Sequence, residues 1–199
     1  MKKLLCVIVI ILFCNNLYAS IDNLIHVLSN IQTLYSHITL TEMFHNTHRQ
    51  IFDGYIYNIR NDKMLIDIYK PYNRYIYVDN KRIYDYDDID KVLNISQDIK
   101  YFNLPNIIYL FLLKSDNIKD NFDIVTFNNN HYKLYPKENI DIQYIEIFIN
   151  NGAINKIKAE DKRYNKVEIE LDNVKINKTF DPEILNVFIP EGTKLKFVE

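Results

Sequence analysis

Beyond residue 14 this 199-residue chain has no cysteine, and it has no tryptophan at all. Cys6 and Cys14 both lie in an apolar N-terminal stretch, so the rest of the chain has no disulfide framework and no thiol chemistry. Glycine is confined to Gly54, Gly152 and Gly192. That excludes a glycine-rich loop to cradle phosphates and a Gly-x-Ser-x-Gly nucleophile elbow. Positive charge is not in excess, with 24 Lys and Arg against 26 Asp and Glu. No basic stripe for nucleic acid and no polybasic membrane patch stands out. No apolar run approaches the roughly 20 residues of a membrane-spanning helix. The many Asn, Ile, Lys and Tyr residues follow the codons of an AT-rich genome and carry no functional meaning by themselves.

What is present begins with MKKLLCVIVIILFCNNLYAS. Lys2 and Lys3 precede an apolar core from Leu4 to Phe13, and Ala19 offers a small residue before Ser20. This reads as a secretory signal peptide over residues 1–19, with a single domain over 20–199. Leu17 is larger than signal peptidase prefers, so the signal is plainer than its cleavage bond. Phe13 stands where lipidation of Cys14 would need a small residue, which argues against a lipoprotein. With no cross-links expected in the mature chain, stability rests on one hydrophobic core.

Residues 21–34 place Ile21, Leu24, Ile25, Leu28, Ile31 and Leu34 at helical spacing, an amphipathic helix with one broad apolar face. The period then changes to two. Strands are expected near 35–41, 51–60, 63–69, 74–78, 82–86 and 91–95. Others are expected near 122–127, 131–135, 143–149, 153–159, 164–171 and 185–189. Turn signals include Asp79-Asn80, Asp87-Asp88, Asn128 to Asn130, Asn151-Gly152 and Asp172-Asn173. The fold class is mainly β with some helix: one meandering antiparallel sheet, long enough to curl strongly.

Residues 104–116, LPNIIYLFLLKSD, break the alternation. Ile107, Ile108, Leu110, Phe111, Leu112 and Leu113 make this helix apolar nearly all round. It is therefore a core helix or one that faces something other than water. In the strand pair 51–69, Ile56 and Arg60 share one face, and Met64, Ile66 and Ile68 share a face of the next strand. The concave side of so curled a sheet is either packed by helices or holds an apolar ligand. Arg60 either turns to solvent beside Asp62 or reaches into that side. His45 and His48 lack a third metal ligand. Asp85, Asp87, Asp88 and Asp90 lack the glycine and glutamate of a calcium loop, and read as a solvated hairpin.

The order of these features resembles the LolA family, the periplasmic carriers of outer-membrane lipoproteins. A signal peptide is followed by an amphipathic helix, then Gly54, Arg60 and Pro71. VDNKRIYDYD over 78–87, Leu104-Pro105, YKLYPK over 132–137, Asn151-Gly152 and NVFIPEGTKL over 186–195 complete the series. The match covers most of the mature chain through an ordered set rather than one unique motif. Some positions depart from the pattern. Asn61 replaces a proline, Met64 and Ile66 replace aromatics, Leu40 or Thr41 stands where glutamine is common, and Asn80 replaces a turn glycine.

The resemblance implies an unclosed β half-barrel lidded by helices. Its hollow would receive the acyl chains of lipoproteins, with Ile56, Met64, Ile66, Ile68, Ile107, Ile108, Leu110 and Phe111 as lining and lid. It also implies that Arg60 latches the lid by donating to backbone oxygens, a task its five donors suit. The implied protein is a periplasmic monomer with no cofactor, metal, nucleic acid or catalysis. It is loaded by an inner-membrane ABC lipoprotein-releasing complex and unloads at an outer-membrane lipoprotein receptor. Alternatives are that receptor itself, which needs a lipidated cysteine, or an envelope-stress signalling regulator, which carries a further domain. A secreted hydrolase lacks a nucleophile context here.

Overall fold

The computed structural model describes residues 21–45, 47–60, 62–79, 82–97, 118–138, 141–186 and 188–198. Residues 21–30 are helical and form α1. Leu24, Val27, Leu28 and Ile31 are buried, while Asp22, His26 and Asn30 face solvent, as three-four spacing dictates. The apolar pattern runs on to Leu34, but the helix stops at residue 30. Asn177, in left-handed conformation at φ 55°, donates to the Asn30 carbonyl at 2.7 Å. Its Oδ1 accepts from the Gln32 and Thr33 amides at 2.8 and 3.3 Å. The chain then turns directly into a strand in which Leu34 is still buried. One apolar residue thus satisfies both periods, which is why the sequence pattern overruns the helix.

Six strands follow: β1 (Thr33–Phe44), β2 (His48–Ile59), β3 (Lys63–Lys70), β4 (Arg74–Val78), β5 (Ile83–Asp87) and β6 (Val92–Ser96). After the short helix α2 (Ile118–Asn121) come β7 (Phe122–Asn128), β8 (His131–Pro136), β9 (Ile142–Asn150), β10 (Ala153–Asp161) and β11 (Lys166–Ile176). The last is β12 (Lys194–Val198). All twelve form one open sheet in the order β12-β6-β5-β4-β3-β2-β1-β11-β10-β9-β8-β7. Two antiparallel meanders therefore meet where β1 pairs with β11. Laid flat, such a sheet would be about 50 Å wide at the usual strand spacing. Yet Ile76, Val78 and Ile83 near one edge share a single core with Phe122 and Leu134 near the other, and with α1. The sheet is a curled, unclosed half-barrel with its core on the concave side.

Two expectations are corrected by these elements. Asp172-Asn173 is not a turn but a bulge within β11. Tyr35 pairs with Lys175 and His37 with Asp172, so Ser36 stands opposite two residues, and Asn173 takes φ 55°. The buried Ser36 hydroxyl lies 2.8 Å from both the His37 and Asp172 carbonyl oxygens, so its proton satisfies one at a time. The strand expected near 185–189 is not found among its described residues, 185, 186, 188 and 189. Pro182–Leu185 is a 3-10 turn whose capping Asp181 accepts from the Glu183 amide at 3.0 Å. The terminal strand lies further on, as β12, and runs parallel to β6.

Candidate functional site

The concave face can be built from register. Ile56 pairs with Ile66, and Ile66 with Ile76; Gly54 pairs with Ile68; Asn58 pairs with Met64, and Met64 with Val78. Ile56, Met64, Ile66 and Ile68 are at most 1% exposed and belong to one core cluster. The second meander contributes Ile145, Ile147, Ile157, Val167 and Ile169 to the same cluster. Helix α1 lies against this surface with Leu24, Val27, Leu28 and Ile31. The other candidates, Ile107, Ile108, Leu110 and Phe111, lie outside the described residues, as do Leu112 and Leu113.

Polar contacts strap α1 across the concavity at both ends. Near its start, Asn23 Nδ2 donates to the Asn129 carbonyl at 3.0 Å and to the Tyr132 hydroxyl at 3.3 Å, and Lys119 meets Asp22 at 3.3 Å. At its finish, Arg60 reaches over from the end of β2. Its Nη1 donates to the Ser29 carbonyl and lies 3.5 Å from that of Leu28. A helix C-terminus presents carbonyls without intrahelical partners and a partial negative charge, so a guanidinium fits there. The Arg60 amide also bonds to the Gln32 carbonyl at 2.8 Å, which fixes the root of the arm.

The opposite end of the concave face is charged, which sequence reading missed. Arg74 donates from Nε and Nη2 to the two oxygens of Asp85, each at 3.0 Å. Asp85 therefore faces inward and is not part of a solvated hairpin. Asp87 and Asp88 do serve the turn: Asp87 accepts from the Ile89 amide at 2.8 Å, and Asp88 from the Tyr86 hydroxyl at 2.9 Å. Glu42 lies near Arg74 and is only 8% exposed. Burial pushes its carboxyl above the usual range; Arg74 pulls the other way, and Asp85 adds to the rise. Two carboxylates around one guanidinium were detectable in principle, since strand parity places Glu42, Arg74 and Asp85 inward. From Leu34 to Glu42 along β1 is about 27 Å at strand rise. The basin is apolar in the middle and polar at both ends.

A pH effect follows from Glu42. A carboxyl that is harder to ionise when folded makes wild type more stable as pH falls through its raised pKa. Glu42→Gln should therefore raise the unfolding midpoint at neutral pH. The gain should shrink as pH falls and vanish below the ordinary glutamate range. Urea unfolding at several pH values checks this; a variant less stable at pH 7, or a gap independent of pH, would contradict it.

The convex face has different chemistry. Tyr35 stacks with Tyr55 and Tyr57 at centroid distances of 5.8 and 5.0 Å, and the Tyr69 ring lies tilted against Tyr55 at 5.7 Å. On the other meander Lys156 and Lys158 share Glu168, and Lys133 pairs with Glu146. A surface cavity of about 540 Å³, lined among the described residues by Asp79, Arg82, Tyr84 and Gln97, is too polar to suit an alkyl chain. No three metal-ligating side chains converge, and no helix is long and apolar enough to cross a membrane, among the described residues.

Residues 39–187 match the family model of LolA, the outer membrane lipoprotein carrier protein. No curated protein matches the chain. Three of the solved structures that share its fold illustrate the likeness. The first is an uncharacterized conserved protein from Thermus thermophilus, with TM-score 0.55 and 10% identity, covering 90% of this chain and 99% of that one. The second is a putative outer membrane lipoprotein-sorting protein domain from Vibrio parahaemolyticus, with TM-score 0.52 and 7% identity, covering 85% and 97%. The third is MucB, with TM-score 0.50 and 7% identity, covering 86% of this chain and 63% of that one.

Proposed function

From the premise that this chain belongs to the LolA family, we propose that it is a periplasmic chaperone that carries lipoproteins by shielding their acyl chains. The observation behind the reading is the strapped basin. A wide apolar concave face lies under a helix held by side-chain hydrogen bonds that can break and re-form. Exposing one methylene to water costs about 0.8 kcal/mol, so a sixteen-carbon chain costs on the order of 10 kcal/mol. Two or three such chains on one cargo make unassisted passage through an aqueous compartment prohibitive. A carrier needs an apolar surface, a movable cover and no bond-making chemistry.

In this reading residues 1–19 are removed as a signal peptide and the mature protein works as a monomer. It receives cargo from an inner-membrane ABC complex and yields it to an acceptor at the outer membrane. Ile56, Met64, Ile66 and Ile68 form the floor that meets the alkyl chains, Ile107, Ile108, Leu110 and Phe111 are further proposed contacts for them, and Arg60 holds α1 down in the empty state. No catalytic residue, metal or cofactor takes part.

The test is native mass spectrometry of protein purified from the periplasm without detergent. Bound lipid or acylated peptide is expected, and organic extraction should remove it. Protein that stays empty in a strain rich in lipoproteins, and that fails to take up a palmitoylated peptide in vitro, would overturn the reading.

A further inference from the structure

The basin contains one residue that its apolar character does not explain. Asn58 sits on β2 facing the concave side, opposite Leu34 on β1 and Met64 on β3. Those two neighbours are fully buried, and so is Asn58, at 0% exposure. Neither its Oδ1 nor its Nδ2 has a hydrogen-bond partner among the described residues. Buried polar groups are nearly always paired, and an orphaned carboxamide penalises the state that leaves it so. Leucine has almost the same shape and would fit the strand pattern without that penalty. Ser36, the other buried polar residue on this part of the face, is satisfied by backbone oxygens. The remaining orphans differ. Tyr75 and His131 stack against aromatic rings, and Thr126, like them, leaves a single polar atom unpaired.

A group that supplies Asn58 with a partner is favoured by whatever that pairing relieves, provided it enters the same place. The occupant must be largely apolar, since the surrounding floor is Ile56, Met64 and Ile66. It must also carry a hydrogen-bonding atom at one point. Asn58 is two residues from Arg60, at the end of the basin where the helix strap is fastened. The polar point therefore belongs at the strapped end, with the alkyl chain running inward along the floor. An acyl chain has this form: its only polar atoms are in the ester or amide that joins it to the cargo.

We infer that Asn58 is a specificity contact for the carbonyl-bearing linkage of an acyl chain, its Nδ2 donating to the carbonyl oxygen when a ligand replaces the strapped helix. The inference rests on the acyl-carrier reading and deepens it. It adds a head-to-tail direction for the bound chain, and a preference for acyl over plain alkyl ligands.

The test uses the full mature chain, delipidated, and two probes that differ in one group. The probes are 1-palmitoylglycerol, an ester, and 1-O-hexadecylglycerol, its ether analogue. Wild type should bind the ester about tenfold more tightly, the size of one hydrogen bond to a buried partner. Asn58→Leu should bind the two alike while melting at or above the wild-type temperature, which shows that it is folded. No ester preference in wild type, or a preference that survives in Asn58→Leu, overturns the inference and leaves the carrier reading intact. Binding of neither probe to wild type defeats the carrier reading, and this contact with it.

Discussion

Arg60→Leu is expected to bind acylated cargo ten- to a hundredfold more tightly than wild type and to release it poorly. The arm of Arg60 ends on the Ser29 and Leu28 carbonyls, at the C-terminal end of the helix that covers the basin. Hydrogen bonds to a charged donor contribute about 1.5–3 kcal/mol each. In the carrier reading, those bonds exist only while the basin is covered, so they oppose loading. Their removal shifts the equilibrium toward the open form, and ligand affinity rises by as much as the closed form loses. Leucine also adds apolar surface at the mouth. The check pairs an affinity measurement on a palmitoylated peptide with a transfer assay to acceptor vesicles. In cells the variant should accumulate as a loaded periplasmic complex. Wild-type affinity together with wild-type transfer would remove Arg60 from the opening step. Asn177 also holds the helix end, through Asn30, so a partial effect would be shared between the two straps.

Gly54→Ala is expected to cost about 3 kcal/mol or more, and Gly54→Val to prevent folding. A Cβ at Gly54 would lie 2.3 Å from the Asp67 carbonyl oxygen and 3.0 Å from both the Asp67 carbonyl carbon and the Ile68 Cα. All three atoms are backbone of the neighbouring strand, so no side chain can swing aside. The β2–β3 register shifts at this point, between Asp53 and Gly54. The requirement here is close approach between strands, not an unusual φ, since Gly54 lies in a regular strand conformation. For a domain of this size the alanine variant should melt roughly 6–12 °C lower. A loss under about 1 kcal/mol would mean that β3 can slide. Sliding would move Met64, Ile66 and Ile68, so such a variant should also bind cargo weakly.

Much of this was readable from alternation alone. The runs around 51–60, 63–69 and 143–149 form strands because one face is apolar at every second residue, and no local signal opposes it. Misreadings occur where a local signal has two physical meanings. Asp172-Asn173 suits a hairpin turn, but positive φ serves a bulge equally well, and only the partner strand decides. Residues 185–189 alternate like a strand, yet Pro182 and the Asp181 cap start a 3-10 turn just before them. The pairing of β12 with β6 depends on a partner remote in sequence, so no window around Lys194–Val198 contains it. In the basin, parity marked Ile56, Met64, Ile66 and Ile68 as sharing a face, while Asn58 passed unnoticed. The same parity carries it inward, but a polar residue in a strand is normally assigned to the outside.

The meeting of the two meanders at β1 and β11 has a consequence for how the protein comes into being. During synthesis, β1 to β6 emerge together and can zip up by short hairpins. The other edge of β1 has no partner until β11 has been made, because Leu34 awaits Ile176 and Ile38 awaits Leu171. The middle of the finished sheet is thus a late seam to close, and the slowest kind, since the longest loop of chain must be gathered before any contact rewards it. Until then the nascent chain presents an unpaired strand edge, the template from which mispairing between chains begins. The part of the molecule best protected in the folded state is the part most at risk before it.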